Sequence, residues 1–180
     1  RAHSSKLEEL KSFQYNVAIP APALFGQFNG LDNIDFVLTG LKKIGFDHVF
    51  EVSRAAELVS EATRRLIKED KLKKPIISSA CPTITRLIST NYPYLCENIM
   101  PILPPIDVAA MLAREKALRE HPELAPEDIG IIFISPCPAK VSYIKNNFAG
   151  ERNYISATVS VRDVYFALLD KMKRTDKEPQ

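Results

Sequence analysis

The chain has 180 residues, of which 46% are hydrophobic, and its formal net charge is +2. This length and composition suit one globular domain with a sizeable core. The near-neutral charge is spread along the chain and argues against nucleic-acid binding. No apolar run approaches the roughly 18 to 20 residues that span a bilayer, and three widely spaced cysteines do not form a secreted disulfide framework. We therefore expect a cytoplasmic protein with neither nucleic acid nor membrane as partner.

The sequence is predicted to divide into three regions. Residues 1–14 carry apolar side chains at helical spacing and are interpreted as a lead-in or linker from a preceding domain. Residues 15–174 are predicted to form the domain itself, and residues 175–180 a short tail. Because the sequence begins at Arg1 rather than at a methionine, we interpret it as part of a larger protein.

Within the domain, short apolar runs alternate with segments of helical spacing. Strands are predicted over 16–22, 48–52, 76–77, 131–134 and 155–159. Helices are predicted over 31–44, 56–66 with Ser53 as the N-cap, 83–89, 107–119 and 161–173. The proline-rich stretch 92–105 is predicted to be irregular and the polar stretch 146–153 mobile. Such alternation is typical of parallel βαβ units, so we predict an α/β fold with a layered, mostly parallel sheet and helices on both faces.

Two stretches of the chain share one pattern. In PIISSACPTITRLI (75–88) and IIFISPCPAKVSYI (131–144), an apolar run is followed by Ser, one further residue, Cys, Pro and then helical spacing. Proline suits the first turn of a helix because its missing N–H has no partner there anyway, so Cys81 and Cys137 are predicted at helix N-caps. The positive helix end stabilises a thiolate, which makes it a better nucleophile or metal ligand. If the two strands are parallel neighbours, both sulfurs lie at the carboxyl edge of one sheet.

Other interpretations of these residues stay open. A buried cysteine often packs as a small apolar side chain, and two thiolates do not complete an iron–sulfur coordination shell, which usually needs four ligands. Cys96 is interpreted as a buried packing residue and the three histidines as surface residues. Lys140 follows Cys137 by three residues, so its ammonium can stabilise an anionic ligand near the cap. The sequence contains neither a nucleotide-binding glycine loop nor a serine nucleophile elbow.

At SSACP (78–82) and SPCPAK (135–140) the chain resembles the catalytic C-terminal domain of the FeFe (iron-only) hydrogenase large subunit, whose usual motifs are TSCCP and MPCTAK. The segments VAIPAPALFGQF, LTGLKKIGFDHVFEVSRAAEL, NYPYL and ISATVSVRDV are similar to further segments of the family, so the resemblance covers most of residues 15–170. It implies one lobe of the iron-only hydrogenase fold. Members of this family hold the H-cluster, a 4Fe–4S cubane bridged by one cysteine to a di-iron centre that carries CO and cyanide.

The resemblance also implies roles for particular residues. Cys81 and Cys137 would be two of the four cubane ligands, and the other two would lie beyond residue 180. Lys140 would contact a cyanide of the di-iron centre. Four further residues of the matched motifs would contact the cofactor, namely Pro22, Ala80, Pro105 and Pro136. By itself the chain is therefore expected to hold no complete cluster.

The chain departs from the family pattern at the site itself. The first Cys of TSCCP, which relays protons to the di-iron centre, is Ala80 here, and a methyl group cannot carry a proton. The family's Ser-Pro-Gln run aligns with Pro104, Pro105 and Ile106, and the Met of MPC becomes Ser135. An alanine at the relay position is similar to the sensory, slow branch of the family, whose members often carry ferredoxin-like and signalling domains.

The leading hypothesis is an H-cluster-binding lobe of an FeFe-hydrogenase-like protein from an anaerobe, with a role in hydrogen sensing and weak hydrogen turnover. Its partners would be ferredoxin-like and signalling domains of the same parent chain. The first alternative is an active iron-only hydrogenase, linked to ferredoxin, that uses another proton route. The others are an interaction module that kept the fold and lost the metal, and an enzyme with a cysteine nucleophile.

Overall fold

The computed structural model of the protein describes residues 4–29, 33–146 and 154–172. At its centre is a four-stranded parallel sheet with strand order β2-β1-β3-β4. The strands are β1 (Tyr15–Pro20), β2 (His48–Val49), β3 (Ile129–Ser135) and β4 (Ala157–Ser160). The α-helices of the described residues are α1 (Asp35–Lys43), α2 (Val52–Lys68), α3 (Pro82–Asn91), α4 (Pro105–Glu120), α5 (Pro138–Lys145) and α6 (Val161–Met172). Among these residues, no helix has both the length and the apolar character needed to cross a membrane.

Helices cover both faces of the sheet, as the sequence predicted. On one face, α2 and α4 pack against Val17, Ile131 and Phe133. On the other face, α1 and α6 pack around Ala18 and Ile132. Successive residues of a strand point to opposite faces, so a strand covered on both sides needs apolar residues at every position. This explains the unbroken apolar run of β3, which is buried along its whole length, and it confirms the layered α/β fold.

The strand predicted at 76–77 does not join this sheet. Ile77 forms an isolated parallel bridge with Ile99, in which Ile77 N–H donates to Asn98 O and Met100 N–H donates to Ile77 O, both at 2.8 Å. Both edges of β3, the strand that leads to Cys137, are already paired with β1 and β4, which leaves no place beside it for a strand at 76–77. The expectation that the two cysteine-bearing strands are parallel neighbours is therefore wrong.

Two 3-10 helices that begin at prolines depart from the predicted structure. The sequence analysis predicted one of these places as the end of a strand and the other as irregular chain. The stretch 92–105 contains a 3-10 helix at Pro93–Asn98, so its prediction as irregular throughout is wrong. The first strand ends at Pro20 rather than at residue 22 because a 3-10 helix, Pro22–Gln27, begins there. In both cases proline occupies the first helical position, where its missing N–H costs no hydrogen bond.

The start of α2 also differs from the prediction. Ser53 is not the N-cap, because the helix begins at Val52 and Glu51 occupies the N-cap position without a side-chain capping bond. Val52 and Ala55 are buried in the core, so packing of this first turn sets the helix start. The early start also limits the preceding strand to β2 rather than 48–52.

The lead-in packs against the domain. Its 3-10 helix, Leu7–Ser12, buries Leu10, and Ser5 N–H donates to Thr158 O at 2.6 Å beside β4. The domain boundary at residue 14 stays a prediction. The tail 175–180, and the part of the predicted mobile stretch that follows residue 146, lie outside the described residues.

Gly130 in β3 lies against the ring of Phe13 in the lead-in. A Cβ at this position would lie 2.5 Å from Phe13 Cδ2 and 2.6 Å from Phe13 Cγ. We expect Gly130→Ala to displace the ring and to lower the free energy of unfolding by about 1–3 kcal/mol, measured by urea unfolding. Gly26→Ala is the matched control, since a Cβ there meets no atom within 4 Å. Adding Phe13→Ala should relieve most of the overlap, since only the Cβ of residue 13, at 3.0 Å, stays close. An equal cost for the two glycine variants would contradict the contact.

Candidate functional site

Two strands end side by side at the carboxyl edge of the sheet. In the register of β1 and β3, Pro20 pairs with Ile134. Ala21 N–H then donates to Ile134 O at 3.0 Å, which holds the chain leaving β1 beside the chain leaving β3. Pro22, the first residue of the 3-10 helix, and the exposed Pro136 therefore both lie at this edge.

Cys137 lies at the same edge, at the N-cap of α5, as predicted. Its backbone is extended, with φ −107° and ψ 112°, and its carbonyl accepts from Val141 N–H at 3.2 Å to close the first helical turn. Cys137 N–H donates to the hydroxyl of the buried Ser135 at 3.1 Å. The cysteine is half-buried, and the first-turn N–H groups of α5 have no intrahelical acceptor.

Cys81 has the same local structure as Cys137. It is the N-cap of α3, with φ −109° and ψ 109°, and its carbonyl accepts from Thr85 N–H at 3.1 Å. Cys81 is exposed. Helices α3 and α5 contact each other. The two cysteine-capped elements therefore come together through helix packing and not through neighbouring strands.

Two thiols at helix N-termini form a soft donor pair. Thiolates are the ligands that hold iron–sulfur clusters. In the described part of the chain, no three or more His, Cys, Asp and Glu side chains are grouped so that they could hold a metal ion. The pair therefore fits part of a cluster's coordination shell, and a complete shell needs ligands from outside the described residues.

Ala80 and Pro105 belong to segments that are joined by a hydrogen bond. The Ser79 hydroxyl donates to Ile102 O at 2.6 Å, which ties the loop before α3 to the stretch that leads into α4. Ala80 is half-buried in that loop, and Pro105, also half-buried, is the first residue of α4. The side chain at position 80 thus lies directly before the Cys81 cap and contributes only a methyl group.

A buried carboxylate is hydrogen-bonded to α5, the helix that carries Lys140, and the sequence analysis missed it. Asp107, in the first turn of α4, is 6% exposed, and the Tyr143 hydroxyl donates to its Oδ2 at 3.0 Å. Burial raises the pKa of Asp107, while the Tyr143 hydrogen bond and the positive charge of Lys140 act in the opposite direction. Burial, reinforced by the Asp107 charge, raises the pKa of Tyr143 well above its usual value.

No sequence signal distinguished Asp107. An acidic residue in the first turn of a helix usually stays in water and favours the positive helix end, so its type and position predict exposure. Its burial depends on α5, which begins 31 positions later in the sequence and supplies the tyrosine hydroxyl. This contact between distant segments is visible only in the folded chain.

Replacing Asp107 by Asn is expected to change the pH dependence of stability. The pKa of an Asp carboxyl in an unfolded chain is about 3.9. Burial raises the pKa of Asp107 in the folded protein. Between these two pKa values the folded state binds more protons than the unfolded state, so the contribution of Asp107 to the free energy of unfolding falls as pH rises. Asp107→Asn should lack this fall and gain stability relative to the native protein over that interval.

Urea unfolding of both proteins across a pH series measures this difference. Asp35→Asn, at an exposed position in the first turn of α1, is the matched control. A difference between Asp107→Asn and the native protein that does not vary with pH would contradict the raised pKa.

Cys96 and the two described histidines lie outside the helices that Cys81 and Cys137 cap. Cys96 is exposed in the 3-10 helix Pro93–Asn98, so the interpretation of a buried packing residue is wrong. His48 is half-buried, and burial together with Lys116, whose Nζ lies 3.1 Å from Nε2, lowers its pKa. His121 contacts the ring of Tyr15, the first residue of β1, with centroids 4.4 Å apart. His121 is therefore at the amino end of the sheet, and His3 lies outside the described residues.

The fold and its cysteine caps together define a layered α/β domain with soft sulfur donors at two helix N-termini. Residues 14–174 match the sequence profile described as iron only hydrogenase large subunit, C-terminal domain. The chain therefore belongs to this family, and the resemblance drawn from its motifs is confirmed.

Individual relatives are similar over different lengths. Iron hydrogenase 1 from Clostridium pasteurianum is 24% identical over 123 residues, which are 65% of this chain and 21% of that protein. A structure of HydA(deltaEFG), which concerns stepwise H-cluster assembly in an FeFe-hydrogenase, has a TM-score of 0.72 at 22% identity and covers 97% of this chain and 48% of its own. A variant of the FeFe-hydrogenase HydA1 from Chlamydomonas reinhardtii has a TM-score of 0.71 at 23% identity, with the same coverage. The chain thus spans about a fifth of iron hydrogenase 1 and about half of these solved chains.

Proposed function

We propose that the chain is the lobe of an FeFe-hydrogenase-like protein that binds an iron–sulfur cofactor of the H-cluster type. The observation that carries this proposal is the placement of Cys81 and Cys137 at matching N-caps of two contacting helices, in a chain of the iron-only hydrogenase family. A protein with this fold is the subject of a structure on H-cluster assembly. Sulfur ligands at positive helix ends suit an anionic iron–sulfur cluster.

Each residue of the site has a proposed part in holding the cofactor. Cys81 and Cys137 would supply two thiolates to the 4Fe–4S cubane, and residues outside those described would supply the rest. Lys140, in the first turn of α5, would place a positive charge beside an anionic ligand of the di-iron centre. Four uncharged residues would surround the cofactor, namely Pro22, Ala80, Pro105 and Pro136. When bound, such a cofactor supplies the chemistry of hydrogen oxidation and proton reduction.

We infer a sensory or regulatory role, with weak hydrogen turnover, from the side chain at position 80. A proton relay needs a group that binds and releases a proton, and Ala80 has none. A site that binds hydrogen but receives protons slowly suits detection better than rapid turnover. The partners of this lobe would be ferredoxin-like and signalling domains of the same parent chain, in the cytoplasm of an anaerobe.

One observation favours a second candidate, an active iron-only hydrogenase. Asp107 is a buried carboxyl whose pKa burial raises, and the Tyr143 hydroxyl donates a hydrogen bond to it. A carboxyl of this kind can bind and release a proton, while Tyr143, whose pKa is raised well above its usual value, keeps its proton and orients the carboxyl. The two side chains would offer a route that does not need a thiol at position 80.

Anaerobic reconstitution with iron and sulfide tests the proposal. The experiment uses a longer protein that contains this chain and is similar in length to its hydrogenase relatives. We expect this lobe to contribute roughly four iron and four sulfide per chain before a di-iron centre is added, beyond any held by ferredoxin-like domains of the same chain. Weak hydrogen evolution by the fully loaded protein supports the sensory role, and rapid evolution supports the active enzyme.

Two outcomes would overturn the proposal. A folded protein that takes up no iron would indicate the interaction module that has lost the metal. An iron-free protein whose Cys81 reacts rapidly with an alkylating reagent at neutral pH would indicate a cysteine nucleophile.

A further inference from the structure

We propose that the contact between His48 and Lys116 ties the edge strand β2 to α4 in a pH-dependent way: it holds β2 in place while His48 is neutral and releases it when His48 gains a proton. His48 is the first residue of β2, so the contact lies at the amino edge of the parallel sheet, opposite the edge where Cys137 lies. The contact needs no cofactor and is therefore independent of the proposed function.

Strand β2 has few hydrogen bonds of its own. It contains two residues, lies at the end of the sheet and pairs with β1 alone. On its two sides, Asp47 N–H donates to Asn16 O at 2.9 Å and Phe50 N–H donates to Ala18 O at 2.8 Å. Because so short an edge strand gains little from its backbone pairing, its position depends on the side chains that join it to a neighbouring helix.

The side-chain contact with α4 fixes the protonation state of His48. Lys116 Nζ lies 3.1 Å from His48 Nε2, a hydrogen-bond distance, and both side chains are half-buried. An ammonium group has donors only, so Nε2 must be the acceptor and the neutral ring carries its hydrogen on Nδ1. The same ammonium lies 3.7 Å from Glu120 Oε1, one turn further along α4.

A proton on Nε2 would reverse this contact. The acceptor becomes a donor, and two positive charges then lie about 3 Å apart, so the hydrogen bond is lost and replaced by repulsion. The charged groups that act on His48 come from three helices and are Lys116 and Glu120 of α4, Lys42 of α1 and Arg54 of α2. Three cations therefore oppose one carboxylate, and Lys116 can keep its contact with Glu120 when it leaves the histidine.

The direction of the pH effect follows from these surroundings. Burial, together with the charge of Lys116, lowers the pKa of His48 below the value of about 6.5 for a histidine in water. Between the two pKa values the closed strand binds fewer protons than the open one, so its stability rises with pH. The contribution of the contact is complete above pH ~6.5 and is lost as the pH falls through the pKa of His48 in the closed strand.

Nitrogen-15 NMR of the histidine side chains tests the contact in the longer protein that contains this chain, prepared as the apo form. The signals of His48 are those that disappear in His48→Gln. At neutral pH they should show a neutral ring with hydrogen on Nδ1. Lys116→Met should raise the pKa of His48, because it removes the positive charge at Nε2.

Lys68→Met is the matched control for this titration. Lys68 is an exposed lysine in the last turn of α2 and is not among the groups that act on His48, so the pKa of His48 should stay unchanged. Hydrogen on Nε2 at neutral pH, or a pKa of His48 that is the same in Lys116→Met as in the native protein, would overturn the proposal.

Amide hydrogen exchange tests the release of β2. After correction for the intrinsic pH dependence, the amides of Asp47 and Phe50 should exchange faster below the pKa of His48, by about tenfold for each unit by which closing lowers that pKa. The amide of Ala21, which bonds to Ile134 O between β1 and β3, is the internal reference and should not respond.

His48→Gln removes the titration from this exchange experiment. Gln keeps an acceptor for Lys116 and has no charge to gain, so the two amides should stay protected at low pH. The same acceleration in His48→Gln as in the native protein would overturn the proposal. If His48→Gln does not fold, Lys116→Met decides, since the acceleration should be smaller without the repelling ammonium, and an equal acceleration would overturn the proposal.

Discussion

Cys81→Ser and Cys137→Ser are each expected to remove most of the iron that this lobe holds in the reconstituted protein, beyond any held by ferredoxin-like domains. Cys81 and Cys137 cap contacting helices with the same extended backbone, and a serine hydroxyl is a poor substitute for a soft thiolate ligand. Loss of an outer-shell partner already costs about 10- to 100-fold in metal affinity, so loss of a ligand should cost more. Iron and sulfide analysis after gel filtration measures the effect.

Cys96→Ser is the matched control for this experiment. Cys96 is exposed and lies in the 3-10 helix Pro93–Asn98, not at the N-cap of an α-helix. We expect its iron content to equal that of the native protein. If the iron contents of Cys81→Ser and Cys137→Ser equal that of Cys96→Ser, the cluster is held elsewhere and the proposed site is wrong.

Ala80→Cys is expected to increase hydrogen turnover by about 10²- to 10⁴-fold, the usual contribution of a positioned general acid or base. Position 80 is half-buried and directly precedes the Cys81 cap, so a thiol there would supply the proton-carrying group that the native methyl lacks. The iron content should not change. Hydrogen evolution by the loaded protein, divided by its iron content, measures the gain.

Ala80→Val controls for the added size, because it fills a similar volume without a proton to transfer. Its turnover should match or fall below that of the native protein. If Ala80→Cys loads normally and evolves hydrogen no faster than Ala80→Val, proton supply at position 80 does not limit the rate. The weak turnover proposed for this protein would then need another cause, or the route through Asp107 would be in use.

Local chemistry made the cysteine caps predictable. Pro82 and Pro138 can each occupy the first position of a helix without losing a hydrogen bond, and the residue before such a proline is driven to an extended backbone. Cys81 and Cys137 accordingly adopt nearly identical φ and ψ angles. The layered fold was predictable for a related reason, because a strand covered on both faces needs the continuous apolar run that β3 displays.

Contacts between distant segments could not be predicted in this way. Ile77 has the apolar character of a strand residue, yet it pairs with Ile99 outside the sheet, and β1 and β4 occupy both edges of β3. The two cysteine-capped helices contact each other through the packing of α3 on α5, which no spacing in the sequence encodes.

The sequence alone thus determined the α/β class, the family and the two cysteine caps, since each depends on residues that are close together in the chain. The tertiary structure decided that the two cysteine-capped helices contact each other, and it alone placed Asp107 against Tyr143. The physical reason is that the burial of a carboxylate depends on which distant segments of the chain pack against it. The neighbour of a strand is set in the same way.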